Sequence, residues 1–202
     1  MVSPFWPSPA PTTGGEVWSR LANLVERQDL LLHGSRIAGL TELSPQSPID
    51  HSPDDFSKRT AVFATEDPSW AIAYAIKTNE CRSFLNACFY PGTEARSTHE
   101  RRLFLSYAAN VDGTSPTGPG VVYAVPRSAF VRMPTERDPT FGVITECQWA
   151  STAAVPVIAE ARVTPEDLPA VARLHDHESV QDRVAAEPHG FPWMEQPAES
   201  GA

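Results

Sequence analysis

The stretch from Leu30 to Ile76 constrains the fold more than any other. A short apolar run, Leu30-Leu31-Leu32, ends in His33-Gly34-Ser35. A second run, Ala61-Val62-Phe63-Ala64-Thr65, leads into Asp67-Pro68-Ser69-Trp70-Ala71-Ile72-Ala73-Tyr74. Apolar runs this short, bounded by turn-forming and polar residues, read as buried strands. An aspartate followed by proline reads as a helix N-cap with proline at the first helical position. Ala71, Ile72, Ala75 and Ile76 then give that helix an apolar face. A strand ending in His-Gly-Ser, next to a second strand that feeds a helix, can build a pocket for a flat aromatic amide. The glycine lets the backbone approach a planar ligand, the histidine can donate to a hydroxyl, and the serine adds a polar contact.

Between the two runs, 44–58 holds Pro45, Pro48 and Pro53 with several acids and reads as a long loop, a length that in compact domains often serves as a lid or binding loop. Upstream, Val17, Leu21, Leu24 and Val25 recur at helical spacing over 16–28, with Thr13 and Glu16 placed as a capping box. Residues 1–15, rich in proline and ending in Gly14-Gly15, read as a flexible leader. Strands are expected at 103–108, 121–126, 141–151 and 155–163, followed by a helical turn at Thr164-Pro165-Glu166-Asp167. The expected class is α+β, one domain over 16–170, with an acidic, partly disordered tail over 171–202.

The formal charge of −9 on 202 residues argues against broad attachment to nucleic acid, because a polyanion is repelled by that average field. Arg96, His99, Arg101 and Arg102 form the one cationic cluster and read as a solvated face rather than a phosphate site. Three cysteines, Cys81, Cys88 and Cys147, are an odd number at undistinguished spacing, which fits a reducing compartment better than a disulfide framework. No run approaches the roughly 18 apolar residues that span a bilayer, so a cytoplasmic protein without a membrane partner is expected, export by a specialised system aside. His175-Asp176-His177-Glu178 has ligand chemistry, but histidines two apart on a helix point to different faces, so no metal is expected. Cys81 and Cys88, seven apart on a possible helix, read as small core residues.

The motifs of the first paragraph resemble the ADP-ribosyltransferase superfamily, specifically its diphtheria-toxin-like branch, which includes the poly(ADP-ribose) polymerases and the rifamycin ADP-ribosyltransferases. The resemblance runs over about residues 30–165 and is motif-specific in its first half, through His33-Gly34-Ser35, Val62-Phe63-Ala64, Ala71 and Tyr74. It implies a split β-sheet core with flanking helices and NAD as co-substrate. It further implies His33 on the nicotinamide-side ribose, Gly34 pairing through its backbone with the carboxamide, Ser35 and Ala71 lining the pocket, and Tyr74 and Phe63 stacking on the ring. The branch carries a signature tyrosine where this chain has Val62 or Phe63, so a ring is present but no phenolic hydroxyl.

Cleaving the bond between nicotinamide and ribose builds positive charge on the sugar, which a carboxylate stabilises. Glu146, on a late strand, is the first candidate and catalytic together with His33. Glu160 is its main rival, and Glu136 and Asp138 are loop alternatives. The activity implied is a glycosyltransferase reaction, ADP-ribose transfer to a protein, nucleic-acid or small-molecule acceptor, in a toxin, effector or small-molecule modifier. The alternatives are a catalytically silent nucleotide- or partner-binding domain, and a tRNA 2′-phosphotransferase relative that the acidic balance disfavours.

Overall fold

A computed structural model describes residues 8–47, 54–92, 101–138, 141–187 and 190–194. Helix α1 (Glu16–Gln28) buries Leu21 and also Trp18, which the spacing does not mark, while Val17, Leu24 and Val25 are partly buried against the same core. It ends at Asp29 in the left-handed conformation, φ 52°. Its cap is Gly15, with no side-chain hydrogen bond, so the expected Thr13–Glu16 box does not form. Helix α2 (Pro68–Ile76) starts as the sequence predicts. Asp67 accepts from the Trp70 amide and proline sits in the first turn. Every residue of α2 except Tyr74 is buried.

Two six-stranded, mostly antiparallel sheets enclose that helix. Sheet I runs in the order β13 (Ala159–Val163), β7 (Gly120–Pro126), β2 (Leu30–Ser35), β4 (Val62–Thr65), β11 (Gln148–Ser151), β8 (Val131–Arg132). Sheet II runs β1 (Ser8–Pro9), β6 (Arg102–Ala108), β5 (Phe84–Pro91), β10 (Gly142–Glu146), β9 (Glu136–Asp138), with β14 (Arg173–His175) added parallel to β6. A short ribbon, β3 (Glu42–Leu43) with β12 (Val155–Pro156), covers the far face of sheet I. The chain is therefore α+β, with α2 as the filling of the largest core. That core joins Leu30, Leu32, Val122 and Ala124 of sheet I to Ile72 and Ile76 of α2 and to Cys88, Leu105 and Tyr107 of sheet II. Burying each of those isoleucines contributes about 2 kcal/mol.

Why α2 can sit so deep is visible on sheet I. A Cβ built on Gly34 would lie 2.3 Å from the Ala71 carbonyl oxygen, and one on Gly120 would lie 1.9 Å from that of Ala75. Two glycines on neighbouring strands thus form the bed on which the helix rests. On its other side the Tyr107 hydroxyl, from sheet II, donates to the Ala73 carbonyl at 2.9 Å. Trp18 of α1 donates its indole N–H to Ser69 Oγ at 2.8 Å and ties the two helices together.

Several sequence expectations need correction. Residues 8 and 9 pair with β6 rather than belonging to a structureless leader, and Ala10 is buried. Cys88 lies on β5, not on a helix, because Phe84–Pro91 alternates between two buried sheet faces. The strand expected over 141–151 breaks at Cys147, leaving β10 on sheet II and β11 on sheet I. Packing does not stop at residue 170: β14 and helix α3 (His177–Ala186) continue the fold, and Val180 and Trp193 cover Leu85 and Phe104 on the outer face of sheet II. Arg101 is no part of a solvated face, being buried against Asp67 with Nε 2.9 Å from Oδ2. Arg96 and His99 lie outside the described residues. All three cysteines are buried and reduced. Among the described residues there is no helix long and apolar enough to cross a membrane, and no group of three or more metal-ligating side chains.

Candidate functional site

His33 and Gly34 sit near the end of β2, where its two neighbours part company. β7 pairs with β2 over all of Leu30–Ser35, whereas β4 pairs with it only at Leu32–Thr65. Past that rung no further pair joins the two strands, and the Phe63 carbonyl of β4 meets the His33 ring, at 2.7 Å from Nδ1. Main-chain groups alternate in direction along a strand. Gly34 therefore points its N–H and C=O the same way as Leu32, toward β4, beyond the last paired rung. Among the described residues no strand pairs with Gly34 there. The result is an open backbone edge with one donor and one acceptor, flanked by an imidazole.

The tautomer of that imidazole follows from its partner. A carbonyl oxygen only accepts, so Nδ1 carries the proton and donates to Phe63. Burial pushes the His33 pKa below the ordinary 6.5, against the smaller opposing effect of the Phe63 hydrogen bond. The ring is thus neutral at physiological pH, and its Nε2 offers a lone pair. The sequence suggests His33 as a donor to a hydroxyl; with Nδ1 engaged, its free Nε2 is an acceptor instead.

Helix α2 supplies the wall. A Cβ on Gly34 would lie 2.9 Å from Tyr74 Cβ and 2.6 Å from the Ala75 nitrogen, so Tyr74 leaves the helix directly beside the Gly34 edge. It is the exposed residue of α2, at 42 %. Its ring stands edge-on to Phe84 at 5.1 Å and tilted to Trp70 at 6.0 Å. Ala71 is buried, and its small side chain permits the helix backbone to reach Gly34. Ser35 Oγ accepts from the Ile37 amide at 3.1 Å and turns the chain out of β2. Phe63 packs edge-on against Phe56 at 6.4 Å, beneath the segment that carries Ser57. Ser57 in turn donates to Gln148 Oε1 at 3.3 Å. The long loop read from the sequence thus folds back over the Phe63 side of sheet I, although 48–53 lie outside the described residues.

The structure places the acids elsewhere. Glu146 lies on β10 of sheet II, opposite Phe89 of β5. Cys88 and Tyr90, the alternate residues of β5, face the core that holds α2. Phe89 and Glu146 therefore face outward from sheet II, while His33 belongs to sheet I. Glu160, on β13, pairs with Tyr123, which pairs with His33, so the three form one rung about 10 Å wide. Tyr123 stands between them, its hydroxyl donating to the Ile37 carbonyl and accepting from the Leu40 amide. Glu136 and Asp138 form β9 at the rim of sheet II, a strand rather than the expected loop. Burial, and then the charges of Asp54 and Asp138, raise the Glu136 pKa.

Two features of this end of the molecule escaped the sequence reading. Gln148 pairs with Thr65, which pairs with Leu32, so it shares the face on which Gly34 meets α2. A run of apolar residues around a single amide gives no signal of this. Glu66 is buried and binds Arg132 at 2.5 Å and the indole N–H of Trp149, with Arg127 at 3.5 Å. Arg127 and Arg132 cover the Trp149 ring at 4.9 and 5.3 Å from its centre. That cluster clamps β4, β8 and β11 together, and Asp29, 2.8 Å from Arg127 Nε, supplies the second carboxylate that balances its two arginines.

Comparison with known protein families, with curated proteins and with solved structures found no match to the chain in any of the three.

Proposed function

We propose that this chain is an NAD-dependent ADP-ribosyltransferase built on a split β-sheet core. In this reading NAD binds at the parting of β2 and β4. The nicotinamide carboxamide pairs with the Gly34 N–H and C=O, the ring lies against Tyr74, and a ribose hydroxyl donates to His33 Nε2. The bond from nicotinamide to ribose breaks, nicotinamide leaves with the bonding electrons, and an acceptor nucleophile attacks the sugar. The observation that carries the reading is the open Gly34 edge between a neutral, oriented imidazole and an exposed tyrosine ring. A backbone donor and acceptor side by side match a primary carboxamide, and a flat aromatic face matches its ring. Among the acids, Glu146 and Glu160 remain the two candidates for stabilising charge on the sugar, with Glu146 facing outward from sheet II and Glu160 beyond Tyr123 from His33.

A second reading, NAD binding without turnover, is favoured by one specific observation. The polar side chain that β11 contributes to the Gly34 side of sheet I is Gln148, a neutral amide, while Glu146 faces outward from the other sheet. One experiment separates the two. The purified protein is titrated with NAD in a calorimeter and then assayed for nicotinamide release, beside the variants His33→Ala, Glu146→Gln and Glu160→Gln. Transferase activity requires release by the unmodified protein and its loss in one of the two glutamate variants. Binding without release selects the second reading, and no binding at millimolar NAD ends both.

A further inference from the structure

Tyr74 is aimed by a residue of the opposite sheet. Asn86, half-buried on β5 of sheet II, accepts two hydrogen bonds at its single Oδ1: the Trp70 indole N–H at 2.7 Å and the Tyr74 hydroxyl at 3.0 Å. Its own amide is held in turn, Nδ2 donating to the Phe84 carbonyl at 3.1 Å. Phe84 meets the Tyr74 ring edge-on and stacks on Tyr107 at 4.6 Å with 9° between the planes, so it too is fixed. An exposed tyrosine on a helix ordinarily samples several rotamers, and ordering it on binding costs free energy. Here the side chain is held before any ligand arrives, with its hydroxyl turned toward sheet II.

We propose that Asn86 is a positioning residue for the aromatic ligand of the Gly34 edge: it holds the Tyr74 ring as a stacking wall and takes up its hydroxyl, leaving the ring face for a flat ligand. This rests on the reading that NAD binds there. It adds that recognition of the nicotinamide ring depends on sheet II, although every residue of the carboxamide and ribose contact is on sheet I. It also fixes what Tyr74 selects, a flat aromatic ring of either charge and not a hydrogen-bonding group.

The test is a double-mutant cycle on NAD affinity with Asn86→Ala, Tyr74→Phe and the pair, read by calorimetry. Each single change removes the same hydrogen bond, so each weakens NAD about fivefold, and the pair is no weaker than either alone. Effects that multiply to about 25-fold, or an Asn86→Ala protein that binds NAD as well as the parent, overturn the proposal. Tyr74→Phe leaves the Trp70 bond untouched, so it guards against a loss of folding in Asn86→Ala, and urea midpoints are recorded for all four proteins. A ligand-free measurement separates this proposal from the reading beneath it. In aromatic NMR the Tyr74 ring signals of the parent are those of a single orientation, and in Asn86→Ala they average. Failure of the parent to bind NAD sinks the NAD reading, whereas unchanged Tyr74 signals in Asn86→Ala sink the positioning role.

Discussion

Replacing Gly34 by alanine tests fold and site together. The added methyl would lie 2.3 Å from the Ala71 carbonyl oxygen, 2.6 Å from the Ala75 nitrogen and 2.9 Å from Tyr74 Cβ. The first two are helix backbone, which cannot rotate aside as a side-chain tip can. Reaching ordinary contact requires α2 to retreat from β2 by about 1 Å. It has nowhere to go, since it packs on sheet II behind and bonds to Tyr107 there. Overpacking of this kind costs about 3 kcal/mol, the upper part of the usual range, because the obstacle is main chain on both sides. For a chain of this size that lowers the melting temperature by about 6–12 °C. Thermal unfolding followed by circular dichroism gives the measurement, with Gly118→Ala as control. A methyl at that position meets nothing nearer than the Arg36 side chain at 3.4 Å. NAD affinity should fall with the stability, because Tyr74 moves with the helix. A Gly34→Ala protein that melts within 2 °C of the parent, a bound set by about 0.5 kcal/mol of stability, would refute the close seating of α2 on β2.

Three more outcomes follow from buried charge and proton position. Arg101→Met leaves the fully buried Asp67 carboxyl without its guanidinium partner, and should cost about 3–5 kcal/mol in a urea titration. His175 is held down to about 4 by burial and by the neighbouring His177, beside hydrogen bonds to Ser83 and Ser106. Between pH 6.5 and 4 the unfolded chain takes up a proton that the folded chain refuses. Stability is therefore full above pH 6.5 and declines toward pH 4, by about 2 kcal/mol once solvent screening is allowed for, and His175→Gln should flatten that slope of urea midpoint against pH. His33 has its pKa lowered by burial, so NAD affinity that depends on its free Nε2 should hold unchanged from pH 8 through 6.5 and fall only below; a decline beginning above 7 would contradict the neutral, accepting ring.

Much of sheet I and of its two helices is legible in the sequence. The spacing of Val17, Leu21 and Leu24 gave α1 its true bounds, and Asp67-Pro68 gave α2 its first turn, because caps and periodicity are local signals. His33, Gly34 and Tyr74 are grouped as one site only by the resemblance to the ADP-ribosyltransferase superfamily, although the strand and the helix that carry them are each marked in sequence. What brings them together is the pair of glycines under α2, of which Gly120, at the start of β7, lies just outside the strand expected at 121–126. Sheet II was read poorly for a physical reason. Phe84–Pro91 is buried on both faces, by α2 on one side and by α3 and Trp193 on the other, so it lacks the polar and apolar alternation that marks a half-exposed strand. The tail reads as acidic and partly disordered because β14 and α3 bury few side chains, yet Val180 and Trp193 seat α3 and the described residues 190–194 on sheet II.

The acid shows where local reasoning stops. On an uninterrupted strand Glu146 and Gln148 would share a face, and a carboxylate chosen at either position would point the same way. The chain does not run straight. At Cys147, whose amide donates to the Cys88 carbonyl at 2.8 Å, it leaves the partner β5 of sheet II and takes up β4 of sheet I. Neither glycine nor proline marks the change, so the sequence gives no sign of it. Arg132 spans the bend from outside, reaching the Glu146 carbonyl from Nε at 3.4 Å while its other end holds Glu66. Removing that hold with Arg132→Met should free the β10–β11 junction and leave Glu66 with Trp149 and Arg127 alone. Amide exchange at Cys147 and Gln148 would then quicken while β2 and β7, paired to each other, keep their protection. Equal protection at the junction in both proteins would show that the two-sheet path of the chain is fixed by the strands themselves, and that the arginine merely decorates it.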